Sequence, residues 1–126
     1  MSKEIIYSAQ APEPFGPYSQ AVKAGNLLFV SGQIAINRAT GVIVSSSIQN
    51  ETTQVMVNIE AILKQAGIGF DSVVKSTIFL KDMNSFPVVN EVYGKYFPTG
   101  PPARETVEVS RLPKDVNVEI SCVAIV

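Results

Sequence analysis

The sequence predicts an α+β fold in which a mixed β-sheet carries two helices on one face. Apolar or methyl-bearing residues recur at alternating steps of four and three between positions 47 and 67, as on one face of an amphipathic helix. Runs rich in β-branched residues precede, separate and follow the helical segments, and such runs are typical of strands. Strands in these places give the order βββαβαββ, which predicts a sheet with mixed strand directions.

Composition and charge exclude several classes of function. The chain has 126 residues, of which 46% are hydrophobic and 17% charged, so residues 1–126 fit one domain with a substantial core. The net charge of −1, without a basic block, argues against nucleic-acid binding. The absence of histidine excludes Ser-His-Asp catalysis, Cys-His catalysis and histidine metal sites.

Cysteine content and hydropathy predict the subcellular location of the protein. Cys122 is the single cysteine, so no intramolecular disulfide can form, and its place on an apolar strand face indicates an inert core thiol. The sequence contains neither a charged-then-apolar signal pattern nor a long apolar run. We therefore expect a cytoplasmic protein without membrane contact.

The first part of the chain predicts strands separated by a stiff loop. Residues 4–7 are strand-like, and three prolines within residues 11–17 restrict the backbone that follows. Residues 27–36 are strand-like, and turn-forming residues then lead into a second apolar run at 42–44. We therefore predict a hairpin between these two runs.

Both predicted helices have clear end signals. Ser47 is placed to cap the first turn of the first helix, and Gly67 ends that helix. Its apolar face comprises Ile48, Thr52, Val55, Ile59, Ile62 and Ala66. Pro87 suits the first turn of the second helix, and the proline-rich residues 98–102 end it. Its apolar face comprises Phe86, Val89, Val92, Tyr93, Tyr96 and Phe97.

Three further strands complete the predicted sheet. Residues 73–80 are a β-branched run between the two helices, and residues 103–110 and 116–126 follow the second helix. Residues 111–115 contain a proline and charged residues suited to a turn. We therefore predict that the last two strands pair as a hairpin.

Arg104 is a candidate ligand-binding residue because it stands at the start of a predicted strand, directly after two prolines and an alanine. Its planar guanidinium suits bidentate binding of a small carboxylate and stays charged at every relevant pH. The alternative is a salt bridge at the surface or at an interface.

Glu119 lies among apolar residues of the last strand. A carboxylate so placed is a candidate general base or water-positioning group, and the alternative is a solvated outer face. The predicted hairpin sets Arg104 opposite residue 122 or 123, so that Glu119 lies about 12 Å farther along the strand. If the two residues share a site, either the register contains a bulge or Glu119 comes from a neighbouring subunit. We favour the second alternative.

Two weaker candidates come from the first part of the chain. A glycine at position 32, inside an apolar strand, marks either close approach by a ligand or another chain, or a bulge. Tyr18 follows the proline-rich loop, which could deliver its ring to a pocket, although tyrosines commonly pack locally.

Five segments along the chain carry a resemblance to a known family. They are Gly16-Pro17-Tyr18-Ser19-Gln20-Ala21, Val30-Ser31-Gly32-Gln33-Ile34, Lys81-Asp82-Met83-Asn84 followed by Asn90, Pro102-Ala103-Arg104 followed by Val107-Glu108-Val109, and Leu112-Pro113 followed by Val118-Glu119-Ile120. In this order and spacing the chain resembles, from end to end, the RidA family of reactive intermediate deaminases.

The resemblance implies a fold, an assembly and a reaction. Members of the RidA family are homotrimers of chorismate-mutase-like α+β subunits, with clefts between the subunits. They hydrolyse 2-imino acids, such as the 2-iminobutanoate and 2-iminopropanoate released by pyridoxal-phosphate-dependent dehydratases, to 2-oxo acids and ammonia. Because the family uses neither a metal nor a cofactor, the resemblance implies that this chain uses none.

The resemblance also implies roles for single residues. Arg104 matches the arginine that binds the substrate carboxylate, and Glu119 matches the acid that positions or activates the attacking water. The residues expected to line the cleft and bind substrate, some of them through neighbouring backbone groups, are Tyr18, Ser31, Gly32, Asn90 and Thr106.

Three positions depart from many RidA relatives. Glu105 and Thr106 stand where a small residue and a cysteine are common, and Ser121 replaces a second acid. Strand alternation puts Glu105 on the face opposite Arg104, whereas Thr106 shares the face of Arg104. We therefore expect Thr106 to affect substrate preference.

Two other functions remain open at this point. The same cleft could bind small 2-oxo or imino acids without turnover, which needs Arg104 but tolerates the loss of Glu119. A ribonuclease or translation-inhibitor activity has been attributed to the RidA family, but the balanced charge and the absence of histidine argue against it.

Overall fold

The computed structural model describes residues 2–126 and contains a six-stranded sheet and two α-helices. The strands are β1 (Glu4–Ile6), β2 (Ala21–Ala24), β3 (Leu27–Gln33), β4 (Val73–Leu80), β5 (Ala103–Glu108) and β6 (Val118–Ile125), and the helices are α1 (Ile48–Gln65) and α2 (Phe86–Gly94). In space the strands run β1-β2-β3-β6-β4-β5. Neighbours are antiparallel except β4 and β5, which are parallel. The predicted α+β class with a mixed sheet is therefore confirmed.

Helix α1 has the ends that the sequence predicted. The Ser47 Oγ accepts a hydrogen bond from the Asn50 backbone N–H at 3.0 Å, which satisfies one free donor of the first turn. The helix ends at Gln65, and Gly67 follows with a φ of 80°, a left-handed conformation that favours glycine. Within residues 2–126, no helix has the length and hydropathy needed to cross a membrane.

Helix α2 is shorter than predicted. It ends at Gly94, before the last two aromatic residues of the predicted apolar face. Tyr96 and Phe97 nevertheless pack on Phe70, with ring centroids 5.1 Å and 5.4 Å away. The apolar pattern therefore identified residues that pack against the core, although it extended the helix too far.

The order βββαβαββ is confirmed, but one of its strands is not the predicted one. Strand β2 lies where no strand was predicted, and residues 42–44 form only a single bridge, between Ile36 and Ile43. The predicted hairpin is present only in short form: the Asn37 backbone N–H donates to the Val42 carbonyl at 2.9 Å, and the Val44 backbone N–H donates to the Ala35 carbonyl at 2.8 Å. The Asn58 side chain of α1 donates to the carbonyls of Ile34 and Ile36 at 3.0 Å and 2.9 Å, and β3 itself pairs with β2 on one side and β6 on the other.

The predicted hairpin between the last two strands is wrong. Strand β6 lies between β3 and β4, whereas β5 pairs in parallel with the far edge of β4. Every second residue of β6 is buried, so burial of its apolar side chains favours the centre of the sheet. Strand β5 follows two prolines and contains Arg104, Glu105 and Glu108, which suit an edge strand.

The main core lies between the helices and one face of the sheet, here called the inner face; the opposite face is the outer face. Its largest fully buried apolar side chains are Leu28, Met56, Ile59, Ile62, Leu63, Ile78, Leu80 and Ile120. A smaller cluster of Ile34, Leu112 and Val116 packs with Phe79, which belongs to the outer face of β4.

A buried carboxylate holds the start of β6. Glu51, in the first turn of α1, is 1% exposed. Its Oε2 accepts hydrogen bonds from the backbone N–H groups of Asn117 at 2.8 Å and Val118 at 3.2 Å, and its Oε1 accepts one from the Asn117 side-chain amide at 2.8 Å. The N-terminal turn of α1 also favours the negative charge. Helix α1 thus binds the point at which β6 enters the sheet.

We expect Glu51→Ala to lower the free energy of unfolding by about 2 to 5 kcal/mol, because it leaves buried backbone donors without an acceptor. Glu51→Gln keeps one acceptor oxygen and should cost less. Urea denaturation of both variants, with the exposed Glu60→Ala on the same helix as a control, measures the difference. An Ala variant at position 51 no less stable than the control contradicts the role given to Glu51.

Candidate functional site

The candidate site residues fall into two groups on opposite faces of the sheet. Arg104 pairs with Ser76 of β4, which is buried on the inner face. Glu119 pairs with Phe79, three residues farther along the same strand. Because successive side chains of a strand alternate between faces, this odd separation puts Arg104 on the inner face and Glu119 on the outer face. The two side chains of one subunit therefore do not meet.

The predicted strand partner of Arg104 needs correction, whereas its predicted level along the sheet does not. Ser76 pairs with Arg104 on one side and with Cys122 on the other. Arg104 is thus level with Cys122, as the hairpin predicted, but β4 separates the two residues. The irregularity in the β4–β6 pairing lies before Lys75, away from Glu119, so a bulge does not bring Arg104 and Glu119 together.

The outer-face group lies in a cleft of about 290 Å³. Four of the sequence candidates meet there, namely Tyr18, Ser31, Gly32 and Glu119. Three further lining residues, missed by the sequence analysis, are Phe15, Ile34 and Pro113. Phe15 packs edge-on against Tyr18 at 5.9 Å between centroids, and both flank the Gly-Pro step of the family segment, which was the available signal.

Gly32 leaves room for the carboxylate of Glu119. The β3–β6 pairing shifts between Val30 and Gln33, so the bulge that was one reading of this glycine is present. A Cβ on Gly32 would lie 2.8 Å from Cδ of Glu119 and still closer to Oε2. The other interpretation of Gly32 from the sequence is a point of close approach by a ligand or another chain. In the structure, the group that approaches Gly32 is the Glu119 side chain of the neighbouring strand β6.

Burial raises the pKa of the Glu119 carboxyl above its ordinary value of 4.5. Phe79 lies beside it by register and packs with the smaller apolar cluster, so the charged form loses water on that side. Within residues 2–126, no lysine or arginine forms an ion pair with Glu119. A carboxylate of this kind is a stronger base, once ionised, than an ordinary glutamate.

The loop that carries Tyr18 is held by two side chains. Gln20 is buried, its Nε2 donates to the Ser8 carbonyl at 3.1 Å, and its Oε1 accepts from the Ser8 backbone N–H at 2.6 Å. The Ser31 Oγ donates to the Ser19 carbonyl at 2.6 Å. The Ser31 hydroxyl thus ties the loop to β3.

The inner-face group is built around Arg104. Its Nη1 donates to Oδ1 of Asn90 at 2.8 Å, and its Cζ lies 5.5 Å from the ring centroid of Phe86 and 5.1 Å from that of Tyr93. Thr106 follows on the same face of β5, and its buried Oγ1 has no hydrogen-bond partner among the described residues. The structure therefore brings Asn90, Arg104 and Thr106 to one side of the sheet.

Arg104 differs from the other arginines in its charge environment. Arg38 and Arg111 each form a salt bridge to a carboxylate, at 3.0 Å and 2.6 Å, whereas Arg104 forms none within residues 2–126. The acid next to it, Glu105, pairs with Lys75 at 3.1 Å on the outer face, as strand alternation predicted. The charge of Arg104 is therefore available to an anion.

Comparisons with known proteins agree with the fold and the motifs. The Endoribonuclease L-PSP family, which includes the RidA proteins, matches residues 8–126. The chain belongs to the RidA family. The resemblance found in the sequence is thereby confirmed.

Similar proteins of the RidA family cover this chain almost completely. A RutC family protein of Pyrococcus horikoshii is 56% identical over 122 residues, which is 97% of each chain. The 2-iminobutanoate/2-iminopropanoate deaminase of Dermatophagoides farinae is 41% identical over 98% of this chain and 97% of its own length. The crystal structure of a Rid family protein from Yersinia pestis has a TM-score of 0.97 at 48% identity and covers 99% of this chain and 100% of that chain.

We expect Gly32→Ala to displace the carboxylate of Glu119 at little cost in stability, because the new Cβ meets only the flexible end of that side chain. The free energy of unfolding should fall by less than about 1 kcal/mol. The pKa of Glu119, followed by carbon NMR of its carboxyl group, should move toward the ordinary value as the carboxyl leaves its buried position. An unchanged Glu119 titration in the variant contradicts this packing.

Proposed function

We propose that the protein is an imine deaminase that hydrolyses small 2-imino acids, of the class of 2-iminobutanoate and 2-iminopropanoate, to 2-oxo acids and ammonia. The observation that supports it most is a guanidinium without a carboxylate partner, together with a half-buried carboxylate, at the two positions that match the catalytic pair of the RidA family. A relative named for this activity is 41% identical over nearly the whole chain.

The reaction needs few groups, because an iminium carbon is already electrophilic. Arg104 binds the substrate carboxylate and thereby orients the C=N bond. Glu119 accepts a proton from water while the water oxygen bonds to the imine carbon, which produces a carbinolamine. The nitrogen then receives a proton, the C–N bond breaks, and the carbinol O–H loses its proton as the 2-oxo acid and ammonia form. The proton held by Glu119 is returned in this second step.

A complete site requires two subunits, because Arg104 and Glu119 lie on opposite faces of the sheet. The outer face also supports self-association, since it exposes large apolar side chains while the helices pack on the inner face. These exposed residues are Ile5, Phe29, Val107 and Ile125. We propose a homotrimer in which each cleft combines the Glu119 group of one subunit with the Arg104 group of the next.

The test is a coupled assay in which a threonine dehydratase generates 2-iminobutanoate and the formation of 2-oxobutanoate is followed. We expect the protein to accelerate this step, and expect Arg104→Ala and Glu119→Gln each to lower kcat/KM by about 100-fold or more. Normal turnover by either variant contradicts its assigned role. A wild-type protein that binds 2-oxobutanoate through Arg104 but gives no acceleration is a carboxylate-binding protein instead.

Mixed subunits test the shared site directly. Co-expression of Arg104→Ala and Glu119→Gln subunits creates interfaces that contain one intact Arg104 and one intact Glu119. Random mixing in a trimer makes about a quarter of the interfaces complete, so about a quarter of the wild-type activity should return. Recovery should be absent if both residues act within one subunit.

The pH dependence of kcat/KM reports the state of Glu119. The group accepts a proton only when ionised, so activity should fall as the pH falls through its pKa. Because burial raises this pKa above 4.5, the acid limb should lie at a higher pH than for an ordinary glutamate. Measurement after subtraction of uncatalysed imine hydrolysis checks this, and an acid limb below pH 4.5 contradicts it.

A further inference from the structure

We propose that three residues of α2, Phe86, Asn90 and Tyr93, form an uncharged cradle that positions Arg104 for a single carboxylate. The inference rests on the proposed function, because the carboxylate is that of the 2-imino acid. The cradle residues act through Arg104 and are therefore positioning residues.

The three residues hold the guanidinium from one helix face. Positions 86, 90 and 93 follow the i, i+4, i+7 spacing that aligns side chains along a helix. Both rings lie within about 6 Å of the guanidinium, the range in which cation–π attraction is significant. Tyr93 is itself fixed, since it is 4% exposed and packs against Phe97 at 4.7 Å between centroids. Its ring therefore offers Arg104 a rigid surface.

The cradle restrains Arg104 without neutralising it. An acidic side chain would bind the guanidinium more tightly but would cancel its charge and compete with a substrate carboxylate. The Asn90 amide oxygen is neutral and accepts one hydrogen bond from Nη1. Within residues 2–126, Arg104 donates no other hydrogen bond from its side chain. Since a guanidinium has five donors, the others stay available for a bidentate contact.

Tyr93 acts through its ring and not through its hydroxyl. The buried Oη has no hydrogen-bond partner among the described residues. Burial raises the pKa of the Tyr93 phenol above its ordinary value, so the ring beside Arg104 carries no charge at neutral pH. The hydroxyl is therefore dispensable for holding Arg104, which distinguishes two substitutions at this position.

Nitrogen NMR of the ligand-free protein tests the restraint, because rotation about the Nε–Cζ bond of Arg104 reports how firmly the guanidinium is held. We expect faster rotation in Tyr93→Leu and Asn90→Ala, and wild-type rotation in Tyr93→Phe. The affinity for 2-oxobutanoate should fall about five- to thirtyfold in the first two variants, with a larger change in KM than in kcat. The proposal is overturned if the Nε–Cζ bond of Arg104 rotates at the same rate in the wild type and all three variants. A loss of stability in one variant does not change this criterion.

Asn90→Asp separates restraint from charge. It should hold Arg104 at least as firmly as the wild type, yet bind 2-oxobutanoate more weakly than Asn90→Ala, because the new carboxylate occupies the guanidinium. Asn84→Asp adds the same charge just before α2 without contact to Arg104 and should leave affinity unchanged. Wild-type affinity in Asn90→Asp overturns the proposal.

The proposed function and the cradle can fail separately. A wild-type protein without imine hydrolysis disproves the deaminase. Arg104 rotation and 2-oxobutanoate affinity then still decide the cradle: the changes described support it, and their absence overturns it.

Discussion

The arrangement of the sheet depends on the buried carboxylate of Glu51. By accepting the backbone N–H groups of Asn117 and Val118, it fixes which residue of β6 enters the sheet first. A slip of one residue would turn Glu119 into the core and expose the apolar residues that alternate with it. The register of β6 is thus a condition both for the core and for the position of Glu119.

The same register separates the candidate site into two halves. Glu119 lies with Tyr18 and Gly32 on the outer face, while Arg104 lies with α2 on the inner face. Side chains of a strand alternate between the two faces of the sheet. Arg104 and Glu119 of one subunit therefore cannot contact the same small substrate. The chemistry proposed for this RidA family member therefore depends on assembly, and the apolar outer face supplies a reason for subunits to associate.

Arg104 and Glu119, one in each half, have no ionic partner within residues 2–126. Arg104 contacts an amide and two rings, whereas Glu119 pairs with Phe79 in the sheet and its carboxylate lies against Gly32. By contrast, Arg38 and Arg111, the other two arginines, each form an ion pair with a carboxylate. A charged side chain without an ionic partner can interact with a charged or polar substrate. Such unpaired charges are expected at a functional site.

The sequence by itself determined the features that depend on neighbouring residues along the chain. These are α1 with its Ser47 cap, the apolar face of α2, the strand character of β3, β4, β5 and β6, the opposite faces of Arg104 and Glu105, and membership of the RidA family. Only the tertiary structure decided that β6 lies between β3 and β4, that β5 is parallel to β4, and that β2, not residues 42–44, is the sheet strand beside β3. It also revealed that Phe86 and Tyr93, which the sequence assigned only to an apolar face, contact Arg104. Strand pairing joins residues distant in sequence and depends on which strand buries the most apolar surface, so no local pattern encodes it.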